Sequence, residues 1–114
     1  MNLAEIRDVL QCEVLSGEDG LSVEVETVVA SDGMSEILAF ACPHSLMVTG
    51  LSNIQSVRTA DIADARAIIY IRGKRPDEKT IALAGEYNIP VLATDLGMFD
   101  VCGILRERGL KGGM

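Results

Sequence analysis

Hydrophobic residues recur along the chain with two alternating periods, one helical and one typical of strands. Leu3, Ile6 and Leu10 fall on one stripe, which predicts an amphipathic helix over residues 3–11. In residues 23–31, valine first alternates with glutamate and apolar residues then run unbroken, which predicts a strand whose second half is buried. The same criteria predict a helix over residues 34–41, a strand over 45–50, a weak helix over 58–65, a strand over 67–71, a helix over 76–88, a strand over 90–94, a last helix over 96–109 and a flexible tail over 111–114.

The alternation of these elements predicts the fold class. Strands that are unbroken apolar runs, separated by helices, are typical of a mostly parallel sheet covered on both faces. We therefore expect an α/β protein with a three-layer α/β/α architecture. A length of 114 residues suits a single domain over residues 1–114. In open sheets of this kind ligands bind beyond the carboxyl ends of the strands, so the loops at those ends are where a binding site is expected.

Three predicted strand ends carry polar or small residues suited to binding. Two of them echo each other, because each has a hydroxyl residue, an aspartate and then a Gly-Met pair. Helix capping explains the hydroxyl and the aspartate, with Ser31 or Asp32 as the cap of the following helix, but it does not explain the recurring Gly-Met. Ligand binding is the alternative. The candidate residues at these three ends are Ser31, Asp32, Gly33, Thr49, Gly50, Ser52, Asn53, Thr94 and Asp95.

A fourth strand end contains Gly73 and Lys74, which invites comparison with a phosphate-binding loop. A Walker A loop requires a glycine five residues before its Gly-Lys and a serine or threonine after it, and this chain has Ile68 and Arg75 there. The pattern instead predicts a strand-to-helix corner in which Gly73 adopts positive φ and Pro76 begins the helix. Lys74 and Arg75 remain able to pair with an anion from the side, so Gly73 and Lys74 join the candidates.

Composition and charge exclude several classes of function. The net charge is −7, and the first 36 residues contain nine acidic residues against one basic residue, so a nucleic-acid partner is not expected. No apolar run approaches the ~18 residues that cross a bilayer, and the N-terminus lacks the features of a signal peptide, so we expect a cytoplasmic protein without a membrane partner. A hydrophobic fraction of 48% favours a homodimer or a higher homo-oligomer.

The cysteines and the single histidine do not indicate a metal or a cofactor. Cys12, Cys42 and Cys102 are odd in number, widely spaced and form no Cys-x-x-Cys motif, which favours buried reduced thiols. The only histidine, His44, lies near Cys42, and two such residues do not make a metal site. No metal, no cofactor and no catalytic residue is predicted.

The order of segments over residues 45–105 resembles the DRTGG domain. This module occurs in the N-terminal region of HPr kinase/phosphorylases, in some phosphate acetyltransferases and beside CBS domains in some pyrophosphatases. The resemblance rests on the Gly-Lys-Arg-Pro corner at residues 73–76 and on the strand at residues 89–94. After the strand at residues 45–50, where the family usually has a charged Gly-Asp-Arg signature, this chain has Gly-Leu-Ser-Asn. The resemblance implies a three-layer α/β/α fold like that of the HPr kinase N-terminal domain, and a regulatory or assembly role without catalysis.

Hypotheses of different classes follow. The first is a non-catalytic regulatory or ligand-sensing module that binds a small anionic or nucleotide ligand at the strand carboxyl ends. The second, implied by the resemblance to stand-alone family members, is a protein-binding accessory subunit of an iron hydrogenase-type redox system. A third is a small enzyme that uses Asp32 and Asp95 as a carboxylate pair with Lys74, which requires the two strand ends to be adjacent.

Overall fold

Six strands form one sheet and five helices cover its two faces in the computed structural model, which describes all residues from Met1 to Met114. The predicted three-layer α/β/α class is confirmed. In chain order the elements are α1 (Leu3–Leu10), β1 (Glu13–Ser16), a 3-10 turn (Glu18–Gly20), β2 (Thr27–Ala30), α2 (Met34–Phe40), β3 (Leu46–Thr49), α3 (Ile54–Ile62), β4 (Ala67–Tyr70), α4 (Glu78–Glu86), β5 (Val91–Ala93), α5 (Met98–Glu107) and β6 (Lys111–Gly112).

The strand order across the sheet is β1-β5-β4-β3-β2-β6. All neighbouring pairs are parallel except β1 with β5, which is antiparallel. A helix separates each of the consecutive strands β2, β3, β4 and β5, and such crossovers leave neighbouring strands parallel. The carboxyl ends of these four strands therefore lie along one edge, which we call the carboxyl edge of the sheet.

Two hydrophobic clusters fill the spaces on either side of the sheet. On one face, α1 and α5 pack over alternate residues of the central strands, including Leu46, Val48 and Ile69. On the other face, α2, α3 and α4 pack over the intervening residues, including Met47, Ile68 and Tyr70. Because successive strand residues point to opposite faces, the unbroken apolar runs of β3 and β4 supply both cores at once.

The two edge strands differ from the expectation. The hydrophobic pattern did not predict β1. Its four residues are exposed or half-buried, so the strand has no long apolar run that would mark it in the sequence. The predicted flexible tail is wrong, because Lys111 and Gly112 pair with β2 and the backbone of Gly113 donates a hydrogen bond to the Val28 carbonyl at 2.8 Å. Both strands are ordered by main-chain pairing with a neighbour, which a side-chain pattern does not reveal.

Several predicted boundaries also shift. Pro76 precedes α4 and does not begin it, because the helix starts at Glu78 and the Asp77 side chain caps it by accepting a hydrogen bond from the Thr80 N–H. The alternating segment before residue 27 is not part of the sheet. Its main chain instead bonds to the start of the chain, where an isolated bridge joins Asn2 to Glu24 and the Val25 N–H donates to the Met1 carbonyl at 2.8 Å. Val25 is nevertheless buried against α1, so its alternation reflects burial without regular pairing. Helix α3 starts at Ile54, four residues before the predicted start, because its buried side begins already with Ser56 and Val57 and continues through Thr59 and Ala60.

Candidate functional site

The strand ends singled out in the sequence lie together along the carboxyl edge. Moving across the sheet from β5 to β2, this edge presents the loops that begin at Thr94, Ile71, Gly50 and Ser31. Neighbouring strands lie about 4.8 Å apart, so a side chain from one loop easily reaches the next. The predicted grouping of these loops at one edge thus follows directly from the parallel strand order.

Asp32 does not cap α2 as predicted. The cap is Gly33, and no side chain makes a capping hydrogen bond there. Asp32 instead reaches the end of β3, where its Oδ1 accepts hydrogen bonds from the Gly50 N–H at 2.7 Å and from the Thr49 hydroxyl at 3.2 Å. The aspartate therefore ties two neighbouring strand ends together.

Arg72 completes this arrangement and is the principal residue that the sequence did not single out. One guanidinium nitrogen lies 3.5 Å from Asp32 Oδ2, so the side chain spans the end of β3 from its own strand β4. It passes over Gly50, where an added Cβ would collide with the guanidinium. The only signal for this residue in the sequence is its position as a basic residue directly after a buried strand. That position does not specify toward which neighbouring strand its side chain extends.

Electrostatics keep Asp32 ionised. The Gly50 N–H is the largest cause that holds the pKa of Asp32 below its usual value, and it exceeds the opposing effect of partial burial; Thr49 and Arg72 add smaller contributions in the same direction as Gly50. Arg72 is thus a secondary partner of a carboxylate that β3 already holds. Since 48% of the Arg72 side chain and 50% of the Asp32 side chain are exposed, their contact is screened by water.

The backbone at the end of β4 is unusual. Arg72 has φ 55° and Gly73 has φ 71°, both in the left-handed region, which is uncommon for a residue other than glycine. The Arg72 N–H donates to the Leu96 carbonyl at 2.8 Å and the Gly73 N–H to the Thr94 carbonyl at 3.0 Å. These bonds fix the corner against the end of β5, so the positive φ predicted for Gly73 is observed and extends to Arg72.

The other basic residues of this corner are loosely held. Arg75 lies 3.6 Å from a Glu13 carboxylate oxygen and 3.9 Å from an Asp95 carboxylate oxygen. Lys74 makes no ion pair within 4.0 Å and is exposed. Asp95 itself is 91% exposed, so its charge is screened as well. The corner therefore carries three cations, none of which is tightly neutralised.

Two of the predicted candidates have structural roles. Thr94 is buried, and its hydroxyl donates to the Leu10 carbonyl at 2.8 Å, which satisfies the end of α1. The Ser31 hydroxyl accepts a hydrogen bond from the Gly33 N–H at 2.9 Å, which closes the turn before α2. These hydroxyl groups are already engaged within the chain.

Ser52 and Asn53 lead into α3, whose first turn opens toward the same edge. Asn53 is the N-cap, but its side chain makes no capping hydrogen bond. Helix α5 starts in the same way at Gly97, also without a side-chain cap. Free N–H groups at a helix start favour negative charge, so these two starts add partial positive charge to the edge.

The strand order separates the two aspartates that were considered as a catalytic pair. Strands β3 and β4 lie between β2 and β5, so the main chains at Asp32 and Asp95 are three strand spacings of about 4.8 Å apart. The side chains make separate contacts, because Asp32 accepts hydrogen bonds at the end of β3 and the Asp95 carboxylate lies beside Gly73 at the end of β4. Each aspartate is paired with its own arginine, Arg72 or Arg75, which does not favour a carboxylate pair.

The carboxyl edge is an open surface. The cavities of the protein lie elsewhere, and none is lined by the predicted candidates. No group of three or more His, Cys, Asp or Glu residues is placed to hold a metal ion. The cysteines are half-buried and unpaired, and burial raises the pKa of Cys12 to about 11. No helix combines the length and the apolar character needed to cross a membrane.

Comparison with known proteins agrees with this architecture. The chain resembles the crystal structure of the CBS and DRTGG domains of the regulatory region of Clostridium perfringens pyrophosphatase complexed with an activator, diadenosine tetraphosphate. The TM-score is 0.74 at 20% sequence identity, and the match covers 91% of this chain and 45% of that chain, so this chain spans less than half of its length. No curated protein matches. The DRTGG domain family matches residues 5–107, and the chain therefore belongs to the DRTGG domain family.

Proposed function

We propose that this chain is a non-catalytic regulatory module that senses a small anionic ligand of the phosphate or nucleotide class at the carboxyl edge. The observation that carries the proposal is the position of Arg72. It extends across the end of β3 and is held there only by a long, half-exposed contact with Asp32. Such an arginine is positioned at the edge and is still able to exchange partners.

An incoming phosphate group competes with Asp32 for Arg72. The guanidinium pairs with two phosphate oxygens at once, whereas the contact with Asp32 involves a single nitrogen and oxygen at 3.5 Å. Asp32 keeps its bonds from Gly50 and Thr49 when Arg72 leaves. The exchange therefore breaks no buried hydrogen bond, and Lys74 adds a second, unpaired cation beside it.

The comparisons support a regulatory role for the domain as a whole. A solved relative in fold is a regulatory region in complex with a nucleotide activator. The charged pair that the family resemblance leads one to expect after β3 is missing from the sequence of this chain. Asp32 and Arg72 place a carboxylate and a guanidinium beside Gly50 from the two neighbouring strands, which supplies the same chemistry by another route.

Non-catalytic action is part of the proposal. An enzyme that used Asp32 and Asp95 as a carboxylate pair would need both carboxyl groups near one reacting atom, and the two strands that lie between their own strands do not favour this. Asp32 is held ionised by three partners, which suits a fixed charge better than a proton carrier.

A thermal-shift and calorimetry panel tests the proposal. Phosphate, pyrophosphate, AMP, ATP and diadenosine tetraphosphate are titrated against the whole chain. A ligand at 100 times its Kd stabilises the fold by about 2.7 kcal/mol, which for a chain of this size raises Tm by on the order of 10 °C. We expect at least one phosphorylated compound to bind, and Arg72→Ala and Lys74→Ala to weaken that binding.

The matched control is Arg66→Ala. Arg66 is an exposed arginine that precedes β4 at the opposite edge of the sheet, so its removal changes the net charge equally without touching the site. Equal losses in Arg66→Ala and Arg72→Ala would mean that the anion responds only to overall charge, and the proposed site would be wrong. No binding across the panel would refute ligand sensing.

The open character of the carboxyl edge favours a second candidate function. A surface without a cavity suits a protein partner, so an accessory subunit of an iron hydrogenase-type redox system remains the alternative. Binding of a purified redox partner that survives Arg72→Ala, together with no phosphate binding, would favour this alternative. Homo-oligomerisation and cytoplasmic localisation stay predictions, and light scattering at micromolar concentration tests the first.

A further inference from the structure

An apolar groove lies between α5 and the strands β2 and β6, and none of the candidate residues of the carboxyl edge lines it. It has a volume of about 380 Å³. Val28 and Ala30 line it from the sheet, and Cys102 and Gly103 line it from the helix. A volume of this size is within the range of about 300–1,000 Å³ that is typical of small-molecule sites.

The two ends of the groove differ in chemistry. At the start of α5 the groove is bordered by Phe99, which is 89% exposed although it is a large apolar residue. At the end of α5 it is bordered by Arg106 and Lys111, and neither has a carboxylate partner within 4.0 Å. No acidic residue lines the groove. Two unpaired cations thus converge at one end of an apolar channel in a chain whose net charge is −7.

Helical geometry sets the spacing between these ends. Phe99 and Arg106 are seven residues apart on α5, which corresponds to about 10 Å along the helix at a rise of about 1.5 Å per residue. Positions 99, 102, 103 and 106 share one side of the helix, because residues three, four and seven apart lie on one face. The side of α5 that is turned away from the core is therefore a continuous wall of the groove.

We infer that this groove binds an amphipathic carboxylate, with an apolar body along α5 and an anionic head between Arg106 and Lys111. The apolar body covers Phe99, Val28 and Ala30 and so removes their surface from water. The head replaces solvent around two cations that have no partner in the chain. The inference does not depend on the proposed function, since neither Arg72 nor Lys74 lines the groove.

Octanoate is the probe, and octanol is the matched control without the charge. We expect octanoate to bind in calorimetry and octanol to bind at least about tenfold more weakly, because only the carboxylate pairs with the cations. The double variant Arg106→Ala/Lys111→Ala should weaken octanoate binding by about tenfold or more, so that octanoate and octanol bind with similar affinity. Arg72→Ala should leave octanoate binding unchanged, which separates this site from the carboxyl edge.

Cys102 offers an independent readout within the groove. Bound octanoate should slow its alkylation by N-ethylmaleimide, as followed by mass spectrometry, while Cys42, which lies outside the groove beside Pro43 and His44, should react at the same rate as before. Protection of both thiols alike, or of neither, would overturn the assignment of the groove.

A second variant separates loss of binding from loss of fold. Gly103 lines the groove, and an added Cβ there meets no atom within 4 Å. Gly103→Leu should preserve the fold, because leucine is a better helix former than glycine, while it fills the groove and abolishes octanoate binding. Undiminished octanoate binding by Gly103→Leu would overturn the inference. The inference would also be overturned if the chain forms a dimer that Phe99→Ala dissociates and that octanoate does not affect, because a second copy of the chain would then occupy the groove.

Discussion

Replacing Asp32 with asparagine should raise the affinity of this domain for phosphate compounds while lowering its stability. Asparagine keeps a carbonyl oxygen that accepts the hydrogen bond from the Gly50 N–H, which is 2.7 Å from the native carboxylate. It removes the negative charge that competes for Arg72. Affinity for phosphate compounds should therefore rise while the free energy of unfolding falls, and each quantity is measured by its own assay.

The size of the affinity gain follows from the contact that is lost. A half-exposed ion pair with a single contact of 3.5 Å contributes up to about 1 kcal/mol, so releasing Arg72 should strengthen pyrophosphate binding by up to about fivefold. The stability cost arises from exchanging a charged acceptor for a neutral one and should be at most about 1 kcal/mol, since Asp32 is half exposed.

Calorimetric titration with pyrophosphate and urea denaturation measure the two effects. Asp95→Asn is the matched control, because it makes the same change of charge at the same edge but next to Arg75, which lies 3.9 Å away. We expect a smaller gain in affinity there. If Asp32→Asn binds more weakly than the native chain, Asp32 contacts the ligand itself, and the exchange of Arg72 between partners is refuted. Equal gains in both variants would show a general charge effect only.

Three further predictions concern the scaffold that holds the site. Ser56→Ala should cost about 1–3 kcal/mol in urea denaturation, because the buried Tyr70 hydroxyl loses its partner at 2.6 Å, whereas Tyr70→Phe should cost less, since Ser56 keeps its bond to a backbone carbonyl. Stability should fall as the pH decreases below about 4, because Asp32 and Asp77 have folded pKa values below their unfolded values near 3.9 and lose their hydrogen bonds on protonation. Gly73→Ala should cost about 1–2 kcal/mol, because alanine is strained at φ 71°.

Controls for these predictions lie within the same chain. Gly97→Ala should be nearly neutral, because Gly97 has φ −81° and open space around an added Cβ. An equal cost for the Gly97 and Gly73 variants would contradict the role of positive φ. A double variant Asp32→Asn/Asp77→Asn should flatten the acid end of the stability curve, and an unchanged curve would assign acid sensitivity to other carboxylates. If Tyr70→Phe is as costly as Ser56→Ala, the asymmetry argued for that hydrogen bond is wrong.

The sequence alone determined the layers of this protein, because strand and helix periods are local properties of side-chain order. The unbroken apolar runs at residues 46–49 and 67–70 require burial on both faces, and that requirement leads directly to a parallel sheet between two helical layers. The corner at Gly73 was also predictable, since few residues other than glycine adopt its backbone conformation.

Only the tertiary structure decided what the residues at the carboxyl edge contact. Asp32 looked like a helix cap, and the strand order β5-β4-β3-β2 made it instead a bridge to Gly50 and a partner of Arg72. The same order separated Asp32 from Asp95, although their sequence contexts echo each other. Which strands become neighbours depends on how the helices pack across the whole sheet, and no local pattern contains that information. The edge strands β1 and β6 likewise could not be predicted from the sequence, because backbone pairing with a neighbouring strand orders them and they contain no long apolar run.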